Sequence, residues 1–505
     1  MNLKVVSGNP TQAAGQVLFL PVFDHHLSGA DAFPWSEVDQ AVGGLLKTCA
    51  AEESFKGKAE QAFAFQTHGR LKPSRVVLLG LGGEARYGPE ALRQAAGRAA
   101  KWAQKLKVTD VAFALLPSAS AETDVRAAVE GFELGAYRFD RYRTVGKDER
   151  PAPLRQLTIV ASPGAEAKRL QAEAVEGQRV ALATNWARDL VNESPGVMTP
   201  SRLASEARAA AEETGLKISV GGLKEIRQLK MGMFLGVAQG SAQEPQLIHV
   251  WYVPKRADAA KRPPLALVGK AITFDSGGLS LKPADAMVNM KSDMAGSAAV
   301  LGAMKVIGAL KPPFPVHAFI GACENMPSGT AYRPDDILVS RSGKTVEINN
   351  TDAEGRLVLG DILTWASEHK PTALIDLATL TGACIIALGH YTAGAFGEND
   401  ALMDEVLGAA RASGEPLWRL PMSDLQRESL RSEVADMKNT GERYGGAITA
   451  AMFLREFVGE VPWVHLDIAG PSLSPKERGY HLKGATGFGV RTLVEWVRQR
   501  AQGQG

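Results

Sequence analysis

Four runs in the second half of the chain, LALVG from Leu265, VHAFIGA from Val316, ALIDLATL from Ala373 and VHLDIAG from Val464, are apolar almost without alternation. A strand with one face in water alternates apolar and polar residues, so a run that does not alternate must bury both faces. Strands of that kind belong to a parallel sheet with helices packed on each side. The chain is therefore expected to be an α/β protein.

The first third keeps the same rhythm. VLFLPVF, RVVLLGLG, VAFALLP and LTIVAS read as buried strands, and PEALRQAAGRAAKWAQKL between them has helical spacing with Pro89 in its first turn. A smaller α/β domain is expected over residues 1–165, a connecting helix over 166–192, and a larger domain with a mixed, mostly parallel central sheet over 193–505. The length of 505 residues accommodates two such domains.

Composition removes several function classes. A net charge of +2 gives no field to draw in nucleic acid or an anionic membrane. No run reads as approaching the roughly 18 apolar residues of a membrane helix. Three scattered cysteines, Cys49, Cys323 and Cys384, fit reduced, buried thiols better than a disulfide framework. A cytoplasmic protein is expected.

The strand RVVLLGLGGEA offers Gly80, Gly82 and Ala85 in dinucleotide-binding spacing. Such a site needs glycines that open the helix directly and an acid about 20 residues on. Here Arg86, Tyr87 and Gly88 intervene, and Lys101 stands where the acid should be. A plain strand-to-helix turn is the better reading.

The charges in two later segments are harder to dismiss. In VGKAITFDSGGLSLKPADAMVNMKSD, Lys270 is read just past the end of a strand, followed by Asp275, Lys282 and Asp293. In NTDAEGRL, Asp352, Glu354 and Arg356 recur with period two, which in extended backbone puts them on one face, while Gly355 removes a side chain where something must come near. Either segment alone would be ordinary solvated charge. If they meet in an apolar setting, four carboxylates must take up protons or recruit cations, and two bridged divalent metals resolve the conflict. Oxygen ligands suit manganese or magnesium, and zinc also accepts them. No histidine is needed; His249, His317 and His465 read as hydrogen-bonded core or surface residues.

NTDAEGRL, VGKAITFDSGG with Lys282 and Asp293, and further stretches such as RDLVNESPGVMTPSRLA, TLTGA and HLDIAG resemble the dimetal leucyl (cytosol) aminopeptidase family. The resemblance implies that Lys270, Asp275, Asp293 and Glu354 hold one metal, and that Asp275, Asp352 and Glu354 hold a second, more exchangeable one. It implies manganese or zinc, with magnesium or cobalt as alternatives, and attack of a metal-bridging hydroxide on the bond after a peptide's amino-terminal residue. Lys282 would stabilise the oxyanion, and Arg356 with the backbone of Leu380 would hold a bicarbonate that shuttles the proton. Met290, Thr379, Gly382 and Ala469 would line the first side-chain pocket, favouring Leu- or Met-like residues. A homo-hexamer acting on peptide substrates would follow. A DNA-binding role and a two-metal phosphoesterase are the rival readings.

Overall fold

The computed structural model describes all residues except 28–32, 119, 145, 147–149, 151–152 and 504–505. The chain divides into two compact units, Met1–Leu182 with Lys476–Leu482, and Ala183–Pro475 with Lys483–Gly505. The division falls within the helix Ala167–Asn192, not at its ends, and a short late segment belongs with the first unit.

In the first unit, β1 (Asn2–Ser7), β2 (Val17–Phe23), β3 (Ala62–Gln66), β4 (Arg75–Gly82), β5 (Asp110–Ala114) and β6 (Gln156–Ala161) form one sheet in the order β1-β6-β5-β2-β4-β3. Only β3 runs antiparallel to its neighbour. Strand β2 is buried throughout, and it shows why: Val17 and Phe19 enter one core while Leu18 and Leu20 enter another. A 3-10 turn, Glu84–Arg86, separates the glycines of β4 from the helix Pro89–Lys105. The geometry of a dinucleotide loop is absent there.

The second unit holds β7 (Lys217–Gly221), β8 (Gln246–Tyr252), β9 (Leu265–Asp275), β10 (Val316–Asn325), β11 (Ile337–Val339), β12 (Thr345–Glu347), β13 (Ala373–Ala378), β14 (Ala393–Phe396), β15 (Leu417–Arg419), β16 (Met437–Lys438) and β17 (Trp463–Asp467). Eight of them form a mixed sheet, β15-β14-β17-β13-β9-β10-β8-β7, whose four central strands are mutually parallel. Strands β11, β12 and β16 form a small separate sheet. The four parallel strands were the apolar runs of the sequence. Their carboxyl ends fall together at Asp467, Ala378, Asp275 and Asn325, with Asn325 opposite Asp275 and Ala378 opposite Asp467 in register.

Three details differ from expectation. Segment Ala284–Leu310 does have the length and hydropathy of a membrane span, but 83% of that window is buried inside the fold, where Ala295–Leu310 packs as a helix on the sheet. Cys49 is only half-buried, unlike Cys323 and Cys384. His249, read next to an apolar strand, lies inside β8.

Candidate active site

Strand β9 is longer than its apolar run. Lys270 therefore sits within the strand, buried, and Asp275 is the last strand residue. The chain then turns at Gly277 and Gly278, whose φ angles of +86° and +65° favour glycine. Asn289, at φ +74°, leads into the 3-10 turn Met290–Ser292, and Asp293 follows.

NTDAEGRL is not extended. Asn350 Oδ1 accepts from the Asp352 amide at 2.8 Å, and a helix begins at Glu354 and runs to Glu368. A carboxylate in a helix's first turn is favoured by the free amides there, which explains why the period-two reading failed. Asp352 and Glu354 nevertheless each meet a lysine of the other segment, Lys282 and Lys270 respectively. Lys270 Nζ lies 2.8 Å from Asp293 Oδ1 and 3.0 Å from Glu354 Oε1, and it donates to the Thr379 carbonyl at 3.0 Å. Lys282 Nζ lies 2.8 Å from Asp275 Oδ2 and 2.6 Å from Asp352 Oδ1. The reason for Gly355 is now visible: a Cβ there would stand 2.3 Å from Lys270 Cε.

Asp275, Asp293 and Glu354 are 3%, 4% and 1% exposed, and one ligand atom from each lies within 4.8 Å of the others. Burial raises the Asp275 pKa to about 6 and lifts that of Asp293 well above the ordinary value. Burial also opposes the charge on Glu354, but Lys270 and Lys282 outweigh it and hold the pKa below normal. For both lysines burial acts to lower the pKa, and the surrounding carboxylates more than reverse it.

The donor set fits divalent cations. Asp293 Oδ2 and Glu354 Oε2 are buried oxygens with no hydrogen-bond partner among the described residues, which a buried carboxylate rarely tolerates without a cation. Lys270 would join such a centre only as a neutral amine, and nearby dications favour that form.

Arg356, two residues into the helix, is buried. It donates from Nη1 to the Asn439 carbonyl at 3.0 Å, while its Nε has no partner. Burial lowers its pKa to about 10. Among the pocket residues, the Thr379 hydroxyl donates to Asp293 Oδ1 at 2.7 Å, and the amides of Leu380 and Ala469 share Asp467 Oδ1. Met290 is half-buried on its turn, and Gly382, exposed, opens the helix Gly382–Leu388.

Sequence reasoning missed the groups that hold these in place. Asn325, fully buried at the end of β10, donates from Nδ2 to Asp275 Oδ1 at 2.9 Å and to the Thr351 carbonyl at 3.0 Å. Its signal was a lone amide closing an apolar strand. Asn439 receives Arg356 and ties back through Nδ2 to the Asn350 carbonyl at 2.6 Å; nothing in its local sequence marks it.

Family models match on both sides of the chain: the catalytic domain of the cytosol aminopeptidase family over residues 185–494, and the N-terminal domain of that family over residues 19–145. The chain belongs to the cytosol aminopeptidase family. It is 42% identical to a probable cytosol aminopeptidase of Alkaliphilus metalliredigens over 99% of both chains. It is 44% identical to one from Cyanothece sp. over 98% of this chain and 99% of the relative. Among solved structures, a mutant tomato leucine aminopeptidase superposes with a TM-score of 0.89 at 36% identity, covering 99% of this chain and 96% of that one. The bottromycin maturation enzyme BotP in complex with Mn gives 0.85 at 34% identity, covering 97% and 100%. This cytosol aminopeptidase is thus a metal-dependent exopeptidase of a dimetal family.

Proposed function

We propose that this aminopeptidase removes apolar, Leu- or Met-like amino-terminal residues from peptides, at a centre in which Lys270, Asp275, Asp293, Asp352 and Glu354 hold two divalent ions. The observation that carries the reading is the buried trio Asp275, Asp293 and Glu354, with two unpartnered oxygens opposite two lysines. Manganese or zinc suits these ligands, with magnesium or cobalt as substitutes. When bound, the ions supply Lewis-acid polarisation of the scissile carbonyl and a water that ionises near neutral pH.

The chain's own groups set the rest. Lys282 presents an ammonium where negative charge develops on the carbonyl oxygen. A free α-amine has a lone pair to offer divalent ions and an acylated one does not, which favours substrates with an unblocked amino terminus. Arg356 offers a planar, partly unpartnered fork for a small oxyanion, and bicarbonate there, beside the Leu380 backbone, would serve proton transfer. Met290, Thr379, Gly382 and Ala469 form the first side-chain pocket, Met290 contributing an adaptable apolar wall. A cytoplasmic homo-hexamer is the working form we propose.

The test is hydrolysis of leucyl-p-nitroanilide by chelator-stripped protein with manganese, zinc or magnesium restored in turn, and an N-acetylated substrate as control. Activity should return with metal and vanish on acetylation. Failure of every metal-restored sample on several aminoacyl substrates would remove the reading. Light scattering on the same preparation checks the hexamer.

A further inference from the structure

Of the residues at the four strand ends, Asp467 has no part in the chemistry above, yet it is fully buried and more heavily hydrogen-bonded than the metal-site carboxylates. Its Oδ1 accepts from the amides of Leu380 at 3.2 Å, Thr381 at 3.4 Å and Ala469 at 3.2 Å, and its Oδ2 accepts from the Thr381 hydroxyl at 2.6 Å. Two loops that leave different strands, β13 and β17, therefore hang from one carboxylate.

We propose that Asp467 is a positioning residue for the substrate's first side chain and carbonyl, fixing the loop Thr379–Gly382 against Ala469. The inference rests on the aminopeptidase reading of the pocket. Three connections carry it. The loop's first residue, Thr379, reaches the centre directly, through its hydroxyl to Asp293 and its carbonyl to Lys270. Thr381, the loop's third residue, caps the following helix by accepting from the Cys384 amide at 3.0 Å. Ala469 lies on the other loop. A shift of Asp467 would move both walls of the pocket relative to each other.

The chemistry of the hub requires a carboxylate. Four donors converge on it, and only an acceptor on both oxygens satisfies them all. Burying that charge is costly unless it is compensated. The same strand supplies compensation: His465, two residues earlier and so on the same face, holds Asp376 Oδ1 at 2.7 Å through Nδ1, and Asp376 Oδ2 accepts from Trp463 Nε1 at 2.7 Å. Burial pushes the Asp467 carboxyl above its ordinary value, and His465, whose Nε2 has no hydrogen-bond partner among the described residues, opposes this through space only.

The experiment measures kcat and KM for leucyl- and alanyl-p-nitroanilide on metal-loaded wild type, Asp467→Asn, Thr381→Val and Thr381→Ser, with the Tm of each. The ratio of kcat/KM between the two substrates does not depend on the fraction of folded enzyme, so loss of fold alone leaves it unmoved. Asp467→Asn and Thr381→Val should compress that ratio by about fivefold or more, chiefly through KM for the leucyl substrate, and Thr381→Ser should restore it. A ratio within about twofold of wild type in Thr381→Val, and in Asp467→Asn where it folds, would overturn the proposal. Should Asp467→Asn not fold, Thr381→Val decides alone. A wild type inactive on both substrates would instead bring down the aminopeptidase reading, and this inference with it.

Discussion

The two ends of β10 bury titratable groups by opposite means. At its start, His317 Nδ1 lies 3.2 Å from His249 Nε2 on the adjacent β8, with His369, Trp251, Trp365 and Phe319 ringed about them. Burial drives His249 to about 3 and His317 to about 4, so both are neutral. At the strand's end, Asn325 joins a group that keeps its charges and sets cations against anions. Perturbed pKa values mark both ends, so perturbation alone does not find chemistry. What separates them is position and saturation. The histidines satisfy one another among aromatic rings, whereas the carboxylates gather where parallel strands end and leave oxygens without partners.

Breaking the charged end should cost most. Lys282→Met removes the ammonium that faces Asp275 and Asp352, and kcat on leucyl-p-nitroanilide should fall by about 10²–10³-fold. His317→Phe, at the start of β10, should leave kcat within about twofold. Comparable losses in the two variants would mean that the two ends of β10 do not differ in function.

A subtler cut is Asn325→Ala, which frees Asp275 Oδ1 from its amide while keeping every ligand. Groups that orient metal ligands are worth about 10–100-fold in affinity or activity. Equilibrium dialysis with manganese or zinc should show weakening in that range, with the far-UV spectrum retained. Wild-type affinity in the variant would mean that the Gly277 amide, 2.8 Å from the same oxygen, suffices to hold Asp275.

How much of this contrast was legible in the sequence depends on the range of the interaction. The parallel strands were visible because burial on both faces leaves an unbroken apolar run, a local pattern. The charged residues were visible because two short segments carry them all. Their geometry was not: the helix that starts at Glu354 and the length of β9 depend on partners far along the chain. The roles of Asn325, Asn439 and Asp467 were not legible, because each works through partners that lie about 50 to 90 residues away in sequence. The histidine cluster was equally hidden, since His249, His317 and His369 meet only when β8, β10 and the helix Glu354–Glu368 pack together.

Metal should couple to one end only. A ligand present at about 100 times its Kd stabilises the folded state by about 2.7 kcal/mol. Chelation should therefore lower the Tm of wild type, and by the same amount in His249→Phe, while Asp293→Asn should lose most of the metal-dependent increment. Differential scanning calorimetry with and without chelator measures all three.

The effect expected at the histidine end has a definite sign. His249 and His317 have folded pKa values of about 3 and 4, below the value of about 6.5 expected when unfolded. Between those limits the unfolded chain binds protons that the folded chain refuses, so stability present above pH 6.5 is lost as pH falls. Burial lowers the pKa of the neighbouring His369 as well, and Glu368 and Arg341, paired with each other, have opposed effects on it. Discounted for partial solvent access, the pair should contribute about 2–3 kcal/mol of destabilisation by pH 4.5. The buried carboxylates titrate in the same window, so the measurement is a difference: Tm from pH 7 to 4.5 in wild type against the double variant His249→Phe with His317→Phe. The variant should hold its Tm better on acidification by several degrees. Parallel curves would mean that the two imidazoles take up protons in place, by turning to solvent, and that this end of β10 is open where the other is closed.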